Sequence, residues 1–214
     1  MNEALAYVVA QRMERTAAAL RKNNMEAYCV KTAGEVVPLV KTLLAEGATV
    51  GAGGSMTLEE CGVMDLLRSG AYHFLDRGAP GLTPEDIGKI YRQIFSADCY
   101  FASANAVTED GLMVQIDGTG NRVGAMCYGP GTVYVLIGRN KIVSGGYAQA
   151  VKRIKEIACP QNARRQHLHS PCAETGHCNP ARCEESMCRV TVAFDHAPGG
   201  KRTQVVLINE DLGY

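Results

Sequence analysis

The sequence predicts an α/β fold with a central, mostly parallel sheet and helices on both faces. Three observations carry that expectation. Strand-like and helix-like segments alternate along most of the 214 residues, the pattern that βαβ units produce. The run "TVYVLIG" (132–138) is almost wholly apolar, as befits a strand covered on both sides. Capping and turn residues fall between the apolar runs, where they can start or end elements.

The elements follow in chain order. Leu5, Val8, Val9, Met13 and Leu20 lie near helical spacing over residues 3–22. "EAYCV" (26–30) reads as a short strand, and Thr32 with Glu35 forms a T-x-x-E capping pattern ahead of a helix that Gly47 would end. Pro38 falls early in that helix, where a missing N–H costs least. "ATVGAGG" is a buried strand entering a glycine turn, "SMTLEECGVMDLLRSG" is helical, and "YHFLD" is a strand. Thr83 and Pro84 open the next helix as N-cap and first residue. Asp110-Gly111 separates two alternating runs within residues 99–117, a hairpin signal. A helix over "GGYAQAVKRIKEIA" and two late strands, "RVTVAF" and "TQVVLIN", complete the chain, and both late strands are expected to rejoin the same sheet. No internal repeat or linker divides residues 1–214, so one domain is expected, with a cysteine-rich loop at about 167–188.

Composition narrows the function. Lys plus Arg equals Asp plus Glu, so the formal net charge is zero, which argues against a nucleic-acid partner. The one dense basic stretch, Lys152 to Arg165, reads as the solvated face of a helix. No apolar run approaches the ~18 residues of a membrane span. The N-terminus lacks a signal peptide's pattern, and nine cysteines suit free thiols or metal ligands. A cytoplasmic protein is expected, possible as a homo-oligomer.

Three blocks offer chemistry. "VGAGGSMTLEECG" (50–62) places Gly51, Gly53 and Gly54 at a strand's carboxyl end, followed by the hydroxyls of Ser55 and Thr57. Such turns border ligand sites in open α/β sheets. The turn matches neither the dinucleotide nor the Walker pattern, and a plain strand-to-helix turn capped by Ser55 explains it equally well. The second block supplies Asn105, Glu109, Asp117, Asn121 and Arg122 around the hairpin. A carboxylate near an Arg and two carboxamides suits an acid or amide substrate, with Glu109 or Asp117 as nucleophile or base. Lys141 follows the strongest strand and is a secondary ligand contact, or a surface charge. In the third block Cys172, Cys178, Cys183 and Cys188 read C-x5-C-x4-C-x4-C. They are candidate ligands for zinc or an iron–sulfur cluster, with buried thiols or a redox disulfide as alternatives. The remaining cysteines, Cys159 among them, read as small core residues.

Taken together, "VGAGGSMTLEECG", "SANAVTEDGLMVQIDGTGNRVGAMCYGPGTVYVLIGRNKIV", "RIKEIACPQNARR" and "CRVTVAF…TQVVLINEDLGY" resemble the LUD domain (DUF162, lactate-utilization) family across nearly the whole chain. The resemblance implies a fold like that of sugar-phosphate isomerases and CoA-transferases, with the glycine turn at the substrate site. It also implies a link to lactate oxidation in company with iron–sulfur partners. The leading expectation is an enzyme, or enzyme subunit, acting on a small organic acid or phosphorylated metabolite. The glycine turn would bind, and Glu109, Asp117 and Arg122 would do the chemistry. The other expectations are an electron-transfer or assembly subunit with a metal- or partner-binding cysteine loop, and a metabolite sensor.

Overall fold

The amphipathic N-terminal pattern becomes α1 (Glu3–Lys22), with the Asn2 side chain accepting the Leu5 N–H as its cap. The computed structural model describes residues 2–199 and 201–214. After β1 (Glu26–Val30) the expected capping box does not form. The Glu35 carboxylate accepts the Lys31 N–H instead, and a short 3-10 turn precedes α2 (Val36–Leu43). β2 (Thr49–Ala52) runs into the glycine turn. The following segment, expected as one helix, is two: α3 (Met56–Glu60) and α4 (Val63–Arg68). Gly62 separates them at φ +70°, a left-handed value that stops a helix. β3 (His73–Phe74) leads to α5 (Pro84–Ile94), where the Thr83–Asp86 capping box forms with Pro84 inside it.

Then come β4 (Cys99–Ala102), β5 (Ala106–Thr108), β6 (Met113–Asp117), α6 (Asn121–Cys127), β7 (Thr132–Gly138) and β8 (Ile142–Val143). α7 (Tyr147–Arg153) passes through a π-helical turn at 154–158 into α8 (Cys159–Arg165). Pro160 has no N–H to continue a regular ladder, which accounts for the widened turn before it. α9 (Pro171–Thr175), β9 (Val190–Phe194) and β10 (Thr203–Ile208) follow.

Six strands form a wholly parallel sheet in the order β1-β10-β7-β4-β2-β3. Strand alternation sends Val133, Val135 and Ile137 of β7 to one face, against Met13, Ala17 and Leu20 of α1 and Ile94 of α5. Tyr134 and Leu136 face the other way, against Val36 and Val40 of α2, Leu58 of α3 and Leu67 of α4. Helices therefore cover both faces, as the apolar run of β7 requires.

A second sheet, β8-β5-β6-β9, departs from the sequence expectation. β10 joins the central sheet between β1 and β7, but β9 pairs antiparallel with β6. Residues 99–117 do not make a single hairpin either. β4 belongs to the central sheet, and only β5 and β6 form the hairpin at Gly111. One face of this smaller sheet shares the α1 core through Val107, Met113 and Ile142, and the other packs on Ala150, Ile154 and Cys159.

Between β4 and β5 the chain changes sheets over Ser103-Ala104-Asn105, leaving ladder hydrogen bonds behind in the interior. Buried polar side chains replace them. Gln115, with no exposed surface, accepts the Asn105 N–H at 3.1 Å and donates to the Ser103 carbonyl at 3.0 Å. Arg153 donates to the carbonyls of Asn105 (2.6 Å) and Asn140 (3.1 Å). It is 7% exposed, so the basic stretch at 152–165 is not purely a solvated face.

The C-terminal residues close over this region. Arg139 N–H donates to the Glu210 carbonyl, the Asn140 side chain accepts the Leu212 N–H, and Glu60 accepts the Gly213 N–H. Gly138 makes that approach feasible: a Cβ there would lie 2.8 Å from the Leu212 nitrogen and 2.9 Å from the Glu210 oxygen. Gly138→Ala should therefore destabilise the fold by about 1–3 kcal/mol in urea denaturation. An unchanged midpoint would show that the tail does not pack there.

Candidate functional site

A cleft of about 400 Å³ opens where the carboxyl ends of β2 and β4 meet the end of β6 and the start of α6, with α8 and Tyr214 closing it. Its position beyond strand carboxyl ends is where open α/β sheets gather ligands. Gly54 and Ser55 line it, and their N–H groups have no hydrogen-bond partner among the described residues. Ser55 also caps α3, its Oγ accepting the Leu58 N–H at 3.4 Å, which is the helix-cap reading of this residue. α3 has only five residues, and its dipole contributes little to anion binding.

The other turn residues serve packing. A Cβ on Gly51 would meet Ile94 at 2.7 Å, and one on Gly53 would meet the Tyr100 hydroxyl at 2.9 Å. Neither glycine lines the cleft. Thr57 is fully buried behind the wall.

Asn105, Asp117, Asn121 and Arg122 all line the cleft. Arg122 donates to Asp117 (3.1 Å), to Asn105 Oδ1 (3.1 Å) and to the Ile116 carbonyl (2.8 Å). Asp117 also accepts the N–H groups of Thr119 and Gly120. Burial pushes the Asp117 carboxyl up, but Arg122 and these N–H groups outweigh it and hold the carboxyl below its usual value. A carboxylate so stabilised is a poor proton acceptor, and its role here is to fix Arg122.

Glu109 lies outside the cleft. It pairs with Arg12 and Arg15, each at 3.0 Å, and accepts the Ser144 hydroxyl at 2.6 Å. Hydrogen bonding from Ser144, with these two arginines, keeps its carboxyl below the usual range despite partial burial. This placement braces α1 against the second sheet and keeps Glu109, expected from sequence as a nucleophile, away from the other cleft residues.

Lys141 is 3% exposed rather than a surface charge. Its Nζ lies 2.7 Å from Thr57 Oγ1 and 3.0 Å from Ser103 Oγ. It forms no ion pair among the described residues. Burial, aided by the Arg153 charge, lowers the amine to about 7. Ser103 lines the cleft, so one hydroxyl separates the buried amine from any bound ligand.

Sequence reading missed Arg77, Tyr91, Ser103, Arg165 and Tyr214, which also line the cleft. Arg77 donates to the Tyr91 hydroxyl at 3.2 Å, and Arg165 to Asn162 at 2.7 Å. Neither arginine forms an ion pair among the described residues. The only detectable signal was position, since Arg77 and Ser103 each follow closely on a strand.

A family model described as the LUD domain matches residues 13–208. The chain belongs to the LUD domain family. Among solved structures, a DUF162 family protein from Deinococcus radiodurans is similar at 12% identity, with a TM-score of 0.49, covering 94% of this chain and 98% of that one. No curated protein matches the chain.

In this LUD domain the cysteine loop forms a second cavity, of about 180 Å³, beside the first. Cys172, Cys178, Cys183 and Cys188 line it together with Cys159, which sequence reading had left in the core. All are free thiols. Among the described residues, no three His, Cys, Asp or Glu side chains are arranged to hold a metal ion. Also among these residues, no helix is long and apolar enough to cross a membrane.

The arginines divide into a brace and two free charges. Arg122→Ala leaves Asp117 buried without its cation and should cost about 3 kcal/mol of stability. Arg77→Ala and Arg165→Ala, which break no ion pair, should shift it by no more than about 0.5 kcal/mol. Equal losses in urea denaturation would contradict this division.

Proposed function

We propose that this LUD domain is an enzyme that binds a small organic acid or phosphorylated metabolite in the cleft, with Lys141 accepting a proton through Ser103. Three features support anion binding. Among the described residues, Asp117 is the one Asp or Glu on the cleft wall and is already matched by Arg122. Arg77 and Arg165 therefore leave a positive excess there, and the N–H groups of Gly54 and Ser55 add unspent donors. Lactate and pyruvate, each a single carboxylate, fall within this substrate class.

The observation that carries the enzymatic reading is the Lys141 amine. A lysine buried against two hydroxyls, with no ion pair among the described residues and only a partial counter-effect from the Glu60 charge, is costly to fold and is typical of functional sites. The amine donates to Thr57 Oγ1 and Ser103 Oγ, and the Ser103 hydroxyl donates to the Ala104 carbonyl at 3.4 Å. Near neutral pH the amine gives up a proton, and its lone pair then takes the Ser103 proton once that hydroxyl turns from Ala104 toward it. The Thr57 hydroxyl donates onward to the Leu212 carbonyl at 3.2 Å, which leaves its oxygen free to accept from Lys141. The Ser103 oxygen is thereby made more basic at the cleft wall, suited to proton abstraction from a bound acid or to attack on its carbonyl.

Calorimetry with pyruvate and with inorganic phosphate tests the binding. Arg77→Ala and Arg165→Ala should each weaken the bound anion about tenfold, and unchanged affinity in both would refute the anion cleft. A second outcome tests Lys141. From pH 7 to 10.5 the unfolded lysine keeps a proton that the folded one has released, so stability of the native chain rises with pH over that window. Lys141→Met removes this penalty. It should raise stability at pH 7 by on the order of 2 kcal/mol, with the gain shrinking toward pH 10. A loss of stability at pH 7 would contradict the buried-amine account.

A further inference from the structure

The cysteine loop carries an inference independent of the anion cleft. Cys159 begins α8, and Cys188 lies in the segment just before β9, yet their Sγ atoms are 3.3 Å apart. The Cys188 N–H is held by Ser186 Oγ at 3.1 Å, and the Cys159 side chain is buried against Ile116, Ile154 and Ala158. Both sulfurs are thus fixed by backbone and core contacts, and small side-chain rotations would bring them to bonding distance. Lys155, one turn before Cys159, lines the same cavity. Cys159 and Met187 line both this cavity and the anion cleft, so the pair sits in the wall between them.

We propose that Cys188 and Cys159 are a redox-active dithiol that reacts with low-molecular-weight disulfides, Cys188 attacking and Cys159 resolving. The Cys188 thiolate attacks one sulfur of the disulfide RSSR, forming a mixed disulfide and expelling RS⁻. The Cys159 sulfur, losing its proton to that thiolate or to solvent, then attacks Cys188 Sγ and expels the second RS⁻. In sum, two protein thiols and RSSR give one protein disulfide and two RSH, with two electrons moved to the small molecule. The assignment of roles follows from surroundings. Cys188 is half-buried and lines the cavity beside Lys155, where a small disulfide can reach its sulfur. Cys159 is buried and lies 3.3 Å from that sulfur, placed to resolve the mixed disulfide from behind. The exposed Cys127 is shifted upward by burial, so exposure alone does not select it.

The test is treatment of the full chain with oxidised glutathione, followed by peptide mapping without reduction. The native chain should release two equivalents of glutathione and yield one Cys159–Cys188 disulfide. Cys159→Ser should trap a single glutathione on Cys188, and Cys188 should react at least about tenfold faster than Cys127. Cys188→Ser should abolish the fast phase, and it decides the matter alone if the buried Cys159 variant fails to fold. Glutathione accumulating first on Cys127, Cys178 or Cys183 would overturn the proposal. So would a purified chain carrying a stoichiometric metal ion or cluster whose removal is needed before Cys188 reacts.

Discussion

The structure turns on a problem of backbone satisfaction. Between Ala102 and Ala106 the chain leaves one sheet and enters another inside the core, so the intervening peptide groups have no strand to bond. An unpaired buried peptide group costs about 1–3 kcal/mol, and three residues in sequence would not be tolerated. Gln115 and Arg153 supply partners for the Ser103 carbonyl and for both peptide groups of Asn105, the Ser103 hydroxyl donates to the Ala104 carbonyl, and the Asn105 side chain ties the junction onward to Ile116 and Arg122. The same bonds that make the crossing possible place Ser103 and Asn105 on the cleft wall. Support for the fold and construction of the site are one network.

Lys141 is the member of that neighbourhood without a structural justification. Gln115 and Arg153 satisfy groups that the fold creates, whereas Lys141 is itself a buried cation requiring satisfaction. Thr57, Ser103 and the closing turn at Gly213 accommodate it, but among the described residues no ion pair neutralises it, and the Glu60 charge offsets its burial only in part. A protein under selection for stability alone would place a methionine or leucine there. Its place beside a cleft with two arginines that form no ion pair among the described residues gives the proposed chemistry a physical basis, because stability is commonly sacrificed where function needs an unusual group.

How much of this was legible in the sequence follows from the range of the forces involved. The parallel sheet, both helix layers and the Thr83 cap depend on local periodicity and short-range hydrogen bonds, and the residues declared them. The split of residues 99–117 between two sheets was not legible, because β4 and β5 have the same apolar character and only the distant Gln115 and Arg153 separate them. The glycine turn lies at the carboxyl end of β2, as its sequence indicated, but of its expected ligand residues Gly54 and Ser55 alone line the cleft, since Ile94 and Tyr100 fill the space beside Gly51 and Gly53. Glu109 looked available until α1, about 100 residues earlier in the chain, delivered Arg12 and Arg15 to it. Lys141 could not be distinguished from a surface lysine without knowing that the C-terminal residues fold back over it.

The most direct test is an NMR titration of the Lys141 side chain, assigned by comparison with Lys141→Met. The account requires a midpoint at about 7, shifted from 10.5 by burial. A midpoint at about 10 or above would mean that the amine is charged throughout the physiological range. It could not then take a proton from Ser103, and the enzymatic reading of the cleft would fall.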